Sequence, residues 1–252
     1  MNLSHRASTV QARIGRSPWA GHEYVRGYSV MNAPFSSGDL LGLRVWSQTD
    51  FGPYVSVWHR SPDGEWSIYS DGRSLETTCA RYWNPALSHA SLTDIDVTWT
   101  GPNELRVEMD APDLVWTMTM TAPLYLEALN AVSSRLPLWT WKPRLLTRGR
   151  EWLAKHVLGM GDLDFTFTMP SGQQTVIMPE EVFFIDDADA ELDGRSLGDQ
   201  VRLETNPTVG GIPLPTRPTF VIGQAHMRTT DPEEYRHTRA QVQQSGATSS
   251  TG

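Results

Sequence analysis

Apolar residues alternate with polar ones along much of the chain, a period of two that is typical of β-strands. Between residues 94 and 110, apolar side chains alternate with charged and hydroxyl side chains on both sides of a turn at Gly101-Pro102-Asn103. Residues 114–121 continue the alternation. The pattern predicts three strands in an antiparallel meander, with one face buried and the other in water.

The middle of the chain has a different spacing. Within residues 123–160, apolar residues such as Leu145 and Trp152 recur at helical intervals. Pro143 stands at the start of the second apolar run and Gly159 after its end, the positions at which these residues usually flank a helix. We therefore predict one or two helices that are inserted between strands.

Strands return after residue 162, with turns at residues 170–172 and 193–194. Many short antiparallel strands with a helical insertion near residues 123–160 predict an all-β fold. Because open sheet edges are a liability, the strands should form either a lipocalin-like β-barrel or two packed sheets.

The polarity of the two ends of the chain defines the expected domain boundaries. Residues 1–20 are predicted to be a flexible N-terminal arm, residues 21–230 a single barrel-like domain, and residues 231–252 a polar C-terminal tail. Within the tail, Asp231 followed by Pro232 is typical of the start of a short helix.

Charge and cysteine content exclude several classes of function. The 252-residue chain has a formal net charge of −8, which argues against a nucleic-acid partner because phosphate binding needs clustered Lys and Arg. Cys79 is the only cysteine, so no intrachain disulfide can form, and we expect a buried thiol. No apolar run reaches the ~20 residues that span a bilayer. The N-terminus also lacks the apolar stretch of a signal peptide, so the sequence predicts a cytoplasmic protein without a membrane span.

One short motif, Asp50-Phe51-Gly52, has the same sequence as the magnesium-binding motif of protein kinases. The other kinase elements, a glycine-rich loop, an upstream strand lysine and a His-Arg-Asp loop, are absent from the sequence. Because Pro53 follows, we interpret the motif as a turn that leads into a strand. The seven histidines are scattered singly, and neither a metal site nor a cofactor is predicted.

The segment after this turn, residues 54–69, predicts a hairpin. With residues 61–64 as a four-residue loop, Arg60 would lie opposite Glu65. One face would carry Val55, Val57, His59, Trp66 and Ile68. The other face would carry Tyr54, Ser56, Trp58, Ser67 and Tyr69. Since neither face is charged, we expect the hairpin to be covered on both sides and one side to face a ligand cavity.

The predicted ligand site combines this hairpin with neighbouring aromatic residues. We predict His59 as the acid–base residue, assisted by Asp50 or Tyr54, because proton transfer needs a titratable side chain at the cavity. The predicted cavity lining is Trp46, Trp58, Tyr69, Trp99 and Trp116. The two hairpin faces cannot both line one cavity, and an aromatic core without a ligand is the alternative for these residues.

Several segments of the chain resemble uncharacterised actinobacterial proteins. They are PFSSGDLLGLRVWSQTDFGPYVSVWHRSPDGEWSIYSDG, CARYWNPA, DIDVTWTGPNELRVEMD and MPSGQQTVIMPEEVFFIDDADAELDGRSLG, and they cover most of residues 27–200. More distantly, the strand arrangement and Trp-rich hairpins are similar to the lipocalin-like superfamily that includes carotenoid hydratases related to hydroxyneurosporene synthase. This resemblance implies a β-barrel that binds or transforms isoprenoid or polyketide-like molecules.

The leading hypothesis is a protein that encloses a hydrophobic small molecule, of isoprenoid, steroid or polyketide-like type, in a β-barrel cavity. As an enzyme it would be a cofactor-free hydratase, isomerase or cyclase, with aromatic ring faces that stabilise cationic character. Two alternatives stay open. One is a non-catalytic carrier of a lipid or pigment, and the other is an interaction module with a solid core whose helical insertion contacts a partner.

Overall fold

The computed structural model describes residues 2–248, and it confirms an all-β fold with a helical insertion. The strands are β1 (Arg13–Ile14), β2 (His22–Pro34), β3 (Leu40–Thr49), β4 (Tyr54–Arg60), β5 (Trp66–Asp71), β6 (His89–Leu92), β7 (Ile95–Gly101), β8 (Glu104–Met109), β9 (Leu114–Thr121), β10 (Thr166–Thr168), β11 (Gln174–Leu192), β12 (Arg195–Ser196), β13 (Thr208–Val209), β14 (Ile212–Pro213) and β15 (Thr219–Arg228). The helices are α1 (Leu3–Ser8), α2 (Ala80–Trp83), α3 (Leu124–Ser133), α4 (Arg144–His156) and α5 (Pro232–Thr248), with 3₁₀ turns at Leu75–Thr77, Asn84–Ala86 and Leu138–Trp141.

Thirteen of the strands form one sheet that curls into a half-barrel. Its main path has the order β6-β5-β4-β3-β2-β15-β11-β9-β8-β7, so the chain neighbours β6 and β7 form the two edges. Pairing is antiparallel except between β5 and β6 and between β1 and β3. A separate two-stranded sheet consists of β13 and β14. Of the two predicted arrangements, the curled sheet is closer to the barrel.

The predicted meander is formed by β7, β8 and β9 with the expected alternation. Val107 of β8 pairs with Val97 on one side and with Trp116 on the other. Val107 and Trp116 are fully buried, whereas Asp96 and Thr98 on β7 are exposed. The charged face thus stays in water and the apolar face supplies the core.

The concave face of the half-barrel is filled by protein side chains. Strands from both halves of the sheet contribute to one hydrophobic core, in which Trp116, Phe183 and Phe220 are fully buried. Leu3 and Ala7 of α1 belong to the same core. The interior of the half-barrel is therefore a packed core, in contrast to the ligand-filled barrel that the sequence led us to expect.

The N-terminal segment differs from the flexible arm that was predicted. Leu3, Ala7 and Val10 are buried in the concave core, and Ile14 of β1 pairs with Thr49 of β3. The three apolar residues have the spacing i, i+4, i+7, so one short helical face is enough to dock the segment. The run is too short for a periodicity argument to detect it among polar neighbours.

The C-terminal segment begins with the predicted helix. Asp231 accepts hydrogen bonds at its Oδ1 from the backbone N–H groups of Glu233 (2.9 Å) and Glu234 (3.0 Å), as an N-cap residue does. α5 then continues to Thr248, much further than a short helix. The last four residues of the predicted tail lie outside the described residues.

The convex face of the sheet is covered by the helical insertion, which lies where it was predicted. Leu126 of α3 and Ala154 of α4 pack with Val182 and Phe184 of β11. A second cluster, centred on Trp58, covers the neighbouring part of the same face. The sheet therefore has one packed core on its concave side and a layered region under the helices.

The β4–β5 hairpin is covered on both sides, as predicted, but its register differs from the prediction by one residue. Ser61 and Glu65 face each other, with the Ser61 N–H bonded to the Glu65 carbonyl at 2.9 Å. The loop between them has three residues and ends at Gly64, whose φ of +92° lies in the left-handed region that glycine tolerates best. As a result, Arg60 lies opposite Trp66 and not opposite Glu65.

This shift changes which side of the sheet each β5 residue occupies. Moving a strand by one residue exchanges its two faces. Trp66 and Ile68 consequently share the convex face with Trp58, while Tyr69 packs against the concave core. The predicted grouping of Tyr69 with Trp58 was therefore wrong.

Candidate functional site

An apolar cavity of about 250 Å³ lies between the convex face of the sheet and the helical insertion. Its floor is formed mainly by β2, β3, β4, β11 and β15, and its roof by α3 and α4. Met31, Trp58 and Val221 are examples of floor residues, and Leu129 and Leu153 of roof residues. The cavity is thus a feature of the sheet–helix interface and not of the barrel interior.

Three of the predicted site residues line this cavity. They are Trp46, Trp58 and Tyr54, and the β3–β4 register pairs Trp46 with Tyr54. The Trp58 ring makes an edge contact with Trp83 at 5.1 Å between centroids, and its Nε1–H donates to Ser56 Oγ at 3.2 Å. Burial raises the pKa of Tyr54 well above its usual value, so its hydroxyl is neutral. These contacts fix an uncharged aromatic wall.

The same wall contains an arginine that the sequence analysis did not select. Arg44 is only 7% exposed, and its guanidinium carbon lies 4.9 Å from the centre of the Trp58 ring. Its Nη1 donates to the Leu43 carbonyl at 2.9 Å and to the Val30 carbonyl, and its Nη2 to the Met31 carbonyl at 3.5 Å. Burial lowers the pKa of Arg44 to about 10, which leaves it charged at neutral pH. The available signal was a charge inside the apolar run LLGLRVW.

The single cysteine also lies at the cavity. The Cys79 sulfur is 3.1 Å from Ser56 Oγ, and the residue is buried, as predicted. Burial raises the pKa of the Cys79 thiol, with smaller opposing effects from Ser56 and Arg44. A thiol with a raised pKa stays protonated at neutral pH and is a poor nucleophile.

The other three predicted lining residues lie on the concave side of the sheet. Trp99 packs between Tyr28 and Phe220, with centroid distances of 5.9 Å to each. Trp116 is fully buried in the same core, and Tyr69 packs against it. The structure therefore separates these three aromatic residues from the cavity by the thickness of the sheet.

His59 lies beside a buried carboxylate and not among the cavity-lining residues. Its Nε2 is 2.7 Å from Oδ1 of Asp39, which precedes β3. The other carboxylate oxygen, Oδ2, accepts from Ser37 Oγ at 2.7 Å and from Arg195 Nη2 at 3.1 Å. Burial opposes ionisation of Asp39, but these hydrogen bonds outweigh it and lower its pKa. The cluster ties the β2–β3 turn to β4 and to the short β12 strand.

Asp50 is buried at the opposite end of β3, in the turn that was predicted for the Asp-Phe-Gly motif. It accepts hydrogen bonds from the backbone N–H of Tyr24 at 2.8 Å and from the Tyr235 hydroxyl at 3.0 Å, and it forms an ion pair with Arg239. Burial raises the pKa of Asp50 in spite of these partners. Gly52 has a φ of +101°, as a glycine in a tight turn can. Asp50 thus anchors α5 to the sheet.

A second buried carboxylate near Asp50 was not anticipated. Glu23 of β2 accepts hydrogen bonds from Arg81 Nη2 at 2.7 and 2.9 Å and from the Tyr82 hydroxyl at 2.6 Å. Burial raises the pKa of Glu23, although Arg81 acts in the opposite direction. Because Glu23 and Arg81 are 58 positions apart in the sequence, no local pattern could have linked them.

Within residues 2–248, no three His, Cys, Asp or Glu side chains are grouped so that they could hold a metal ion. Over the same part of the chain, no helix has the length and apolar content needed to cross a membrane. The candidate site therefore consists of an aromatic wall with one buried guanidinium, Arg44, and a helical roof, and its lining also includes the less buried Arg150 and Asp164.

Comparison of the chain with models of known protein families finds no match. Comparison with curated proteins finds no significant similarity either. The function of the cavity must therefore be inferred from its own geometry and chemistry.

Proposed function

We propose that the protein binds a hydrophobic small molecule in the cavity between the sheet and the α3–α4 roof. The observation that carries this proposal is an apolar cavity of about 250 Å³, walled by aromatic residues and containing few polar groups. Ligand sites typically combine a concave apolar surface with a small number of placed polar groups. The distant resemblance to isoprenoid-binding lipocalin-like proteins agrees with this ligand class.

The size of the cavity limits the ligand. A volume of about 250 Å³ is slightly below the ~300–1,000 Å³ of typical small-molecule sites. A compact isoprenoid or polyketide-like molecule, or one end of a longer molecule such as a steroid, fits such a volume. Larger ligands would require the roof helices to move.

A carrier role is favoured over catalysis by the position of the titratable residues. His59 and Asp50, the residues that we predicted for proton transfer, do not line the cavity, and each is held in a separate buried cluster. Tyr54 does line it, but the raised pKa of Tyr54 makes proton release unfavourable at neutral pH. Cofactor-free hydration, isomerisation or cyclisation remains the second candidate, supported by the aromatic wall of Trp46 and Trp58.

Binding can be tested with 1-aminoanthracene, a small neutral dye whose fluorescence rises in apolar sites, together with native mass spectrometry of protein from its source. Ala154→Phe, a buried roof position that lines the cavity, should weaken dye binding by about tenfold or more because the larger ring occupies the cavity. Ala128→Phe is the matched control, since Ala128 is an exposed residue of α3. Both variants should keep the wild-type circular dichroism spectrum.

Two outcomes would contradict the proposal. One is a folded wild-type protein that neither binds the dye nor carries a co-purified small molecule. The other is an equal loss of dye binding in the Ala128 and Ala154 variants, which would place the dye outside the cavity. Turnover of a ligand found by mass spectrometry would favour the enzyme over the carrier.

A further inference from the structure

Arg44 is a buried cation that the protein does not neutralise. Within residues 2–248 it forms no ion pair with a carboxylate. Several arginines elsewhere in the fold do have such partners, for example Arg26 with Glu180, Arg81 with Glu23, Arg195 with Asp39, and Arg239 with Asp50. An isolated charge in an apolar environment is costly, and buried charges in proteins are therefore normally paired.

The titratable groups nearest to Arg44 do not supply a negative charge. Cys79 and Tyr54 are the groups that act on it electrostatically. Burial raises the pKa of both groups, so the thiol and the phenol are neutral at physiological pH. Arg150 and Asp164 also line the cavity, but Arg150 is only half-buried and Asp164 is exposed, so Arg44 is the buried charge of the described lining residues.

The hydrogen bonds of Arg44 hold its guanidinium in place but do not neutralise its charge. β2 has a bulge between Val30 and Ala33, and there the guanidinium donates to the carbonyls of Val30 and Met31. Carbonyl groups satisfy donors but have no net charge. Nε and the second Nη2 hydrogen make no hydrogen bond within the described residues. Nε and Nη2 form one edge of the guanidinium, and such an edge can bind both oxygens of a carboxylate.

We propose that the ligand is an amphiphilic monocarboxylate, whose carboxylate binds the Nε–Nη2 edge of Arg44 and whose apolar tail fills the cavity. The proposal rests on the proposed function and specifies the chemistry of its ligand. A carboxylate is favoured over a phosphate monoester, because a single guanidinium edge matches one charge and two oxygens. A phosphate monoester carries a larger negative charge and has three acceptor oxygens, which is more than this site can satisfy.

The test compares decanoate, decanol and decyl phosphate by calorimetric titration of the whole chain. Wild-type protein should bind decanoate at least about tenfold more tightly than decanol, since the two probes share the same tail. In Arg44→Met, which keeps an unbranched apolar stem but removes the guanidinium, this preference should disappear while decanol binding persists. Arg44→Lys should recover part of the preference, because it restores the charge without the planar edge.

Arg217→Met is the control for loss of a partly buried arginine outside the cavity. Arg217 also lies over an aromatic ring, Phe184, has no carboxylate partner among the described residues, and does not line the cavity. It should retain the wild-type preference for decanoate. If Arg44→Met does not fold, the comparison of Arg44→Lys with wild type still tests the role of the planar edge.

The outcomes separate this proposal from the proposed function. Equal binding of decanol and decanoate by wild type would overturn the carboxylate proposal and leave hydrophobic binding intact. Tighter binding of decyl phosphate than of decanoate would also overturn it. Absence of binding for all three probes and for 1-aminoanthracene would instead count against the proposed function itself.

A different observation, independent of the cavity, concerns the outer surface of the helical insertion. Among the described residues, eleven large hydrophobic side chains are exposed, and nine of them lie between residues 124 and 157. Leu145 is 81% exposed and Trp152 is 59% exposed. Concentrated exposure of this kind marks an interaction surface, because single exposed apolar residues are normally scattered.

The charge of this segment is opposite to that of the chain. Residues 124–157 contain six Lys and Arg against two Asp and Glu, although the whole protein has a formal charge of −8. On α4, Leu145, Arg148 and Trp152 follow each other at helical intervals on an exposed face, while Thr147 and Ala154 are buried beneath them. Exposed Leu and Trp among basic residues are typical of helices that lie in the interface of an anionic membrane.

We infer that the outer face of α4, defined by Leu145, Arg148 and Trp152 with the adjacent Arg144, docks on the surface of a membrane that contains anionic lipid. Both observations support an anionic membrane as the binding partner of this face. The apolar side chains can enter the headgroup region, and the arginines match the lipid charge. The negative net charge of the protein opposes its approach to such a membrane. The basic segment must therefore determine how the protein is oriented on the membrane surface.

Co-sedimentation with vesicles tests the inference. Wild type should bind vesicles of phosphatidylcholine with 30% phosphatidylglycerol at least about tenfold more tightly than pure phosphatidylcholine, and 0.5 M NaCl should weaken this binding. Arg144→Gln/Arg148→Gln should remove most of that difference, whereas Leu145→Ser/Trp152→Ser should reduce binding to both vesicles. Leu92→Ser, an exposed leucine on β6, is the control and should bind like wild type.

Absence of vesicle binding by wild type would overturn the membrane inference. A dimer in analytical ultracentrifugation that Leu145→Ser/Trp152→Ser dissociates would overturn it as well, because a second copy would then cover this face. Equal loss of binding in Leu92→Ser would show that the vesicles report general hydrophobicity rather than this surface.

Discussion

Replacing His226 with glutamine should reduce the sensitivity of the fold to acid. His226 lies on β15 with no exposure to solvent, and its Nε2 is 2.9 Å from Gln224 Oε1. Its Nδ1 is 3.1 Å from Ser17 Oγ, and its ring is 4.7 Å from that of Trp19. The N-terminal segment therefore seals this imidazole from water.

The expected magnitude follows from the pKa of His226. Burial, with a smaller contribution from the neighbouring His22, lowers the pKa of His226 from 6.5 to about 4. The unfolded chain binds a proton below pH 6.5 and the folded chain does so only near pH 4, so acid favours unfolding across this range. At about 1.4 kcal/mol per pH unit, the loss of stability from this one group is roughly 3 kcal/mol between pH 7 and pH 4.

Urea unfolding at pH 7, 6, 5 and 4 measures this contribution. The difference in free energy of unfolding between wild type and His226→Gln should move by about 3 kcal/mol in favour of the variant as the pH falls. Other titrating groups, including Glu23 and Asp50 with their raised pKa values, are present in both proteins and cancel. Ser17→Ala is the control, because it removes one hydrogen bond and keeps the buried imidazole.

A difference that stays constant within about 0.5 kcal/mol from pH 7 to pH 4 would refute this reasoning. It would mean that His226 is protonated in the folded protein or reaches water by local opening of residues 11–21. The stability difference from wild type should be independent of pH for Ser17→Ala and should change with pH for His226→Gln. This combination would assign the effect to the imidazole itself.

Substitutions at three further positions test an ion pair, the core packing and a helix cap, each by urea unfolding at pH 7. Glu23→Ala should cost about 3–5 kcal/mol, because it leaves Arg81 partly buried without its carboxylate. Trp116→Ala should cost about 3–5 kcal/mol through the cavity left in the concave core, whereas Trp116→Phe should cost much less, since Trp116 Nε1 makes no hydrogen bond within the described residues. Asp231→Ala should cost about 1 kcal/mol of α5 stability, and an unchanged midpoint would show that the N-cap contributes little.

The meander and the helical insertion could be predicted because the local sequence pattern alone is enough to select each structure. In β7–β9 one face carries charged residues such as Asp96, and a shifted register would bury those charges. The insertion changes from a period of two to helical spacing over more than thirty residues, long enough for the change to be recognised.

The register of the β4–β5 hairpin could not be predicted in the same way. Both of its faces are uncharged, so a one-residue shift carries no obvious penalty and the pattern does not select between registers. The choice depends on Gly64, whose left-handed conformation allows a three-residue loop in place of the four-residue loop that we assumed. That error placed Tyr69 on the wrong face.

Only part of the candidate site could be predicted, because local alternation places some of its residues and long-range contacts decide the position of the others. Trp46, Tyr54 and Trp58 belong to two paired strands, so alternation alone brings them to one face. The partners of Asp50 and His59 depend on contacts across long stretches of sequence, as between Asp50 and Arg239, which are 189 positions apart. No spacing rule reaches that far, and these two residues were therefore assigned to a cavity that they do not line.

The position of the cavity follows from how the two faces of the sheet are filled. Large side chains such as Trp116, Phe183 and Phe220 fill the concave core, and the apolar cavity lies on the convex side. The roof there is α4, whose inner residue Ala154 lines the cavity while its outer residue Trp152 faces solvent. If α4 docks on lipid through its outer face, the same helix connects the membrane surface to the cavity. The carboxylate of an amphiphile bound in the cavity needs a cation that compensates for its lost hydration, and Arg44 is a buried cation in that wall.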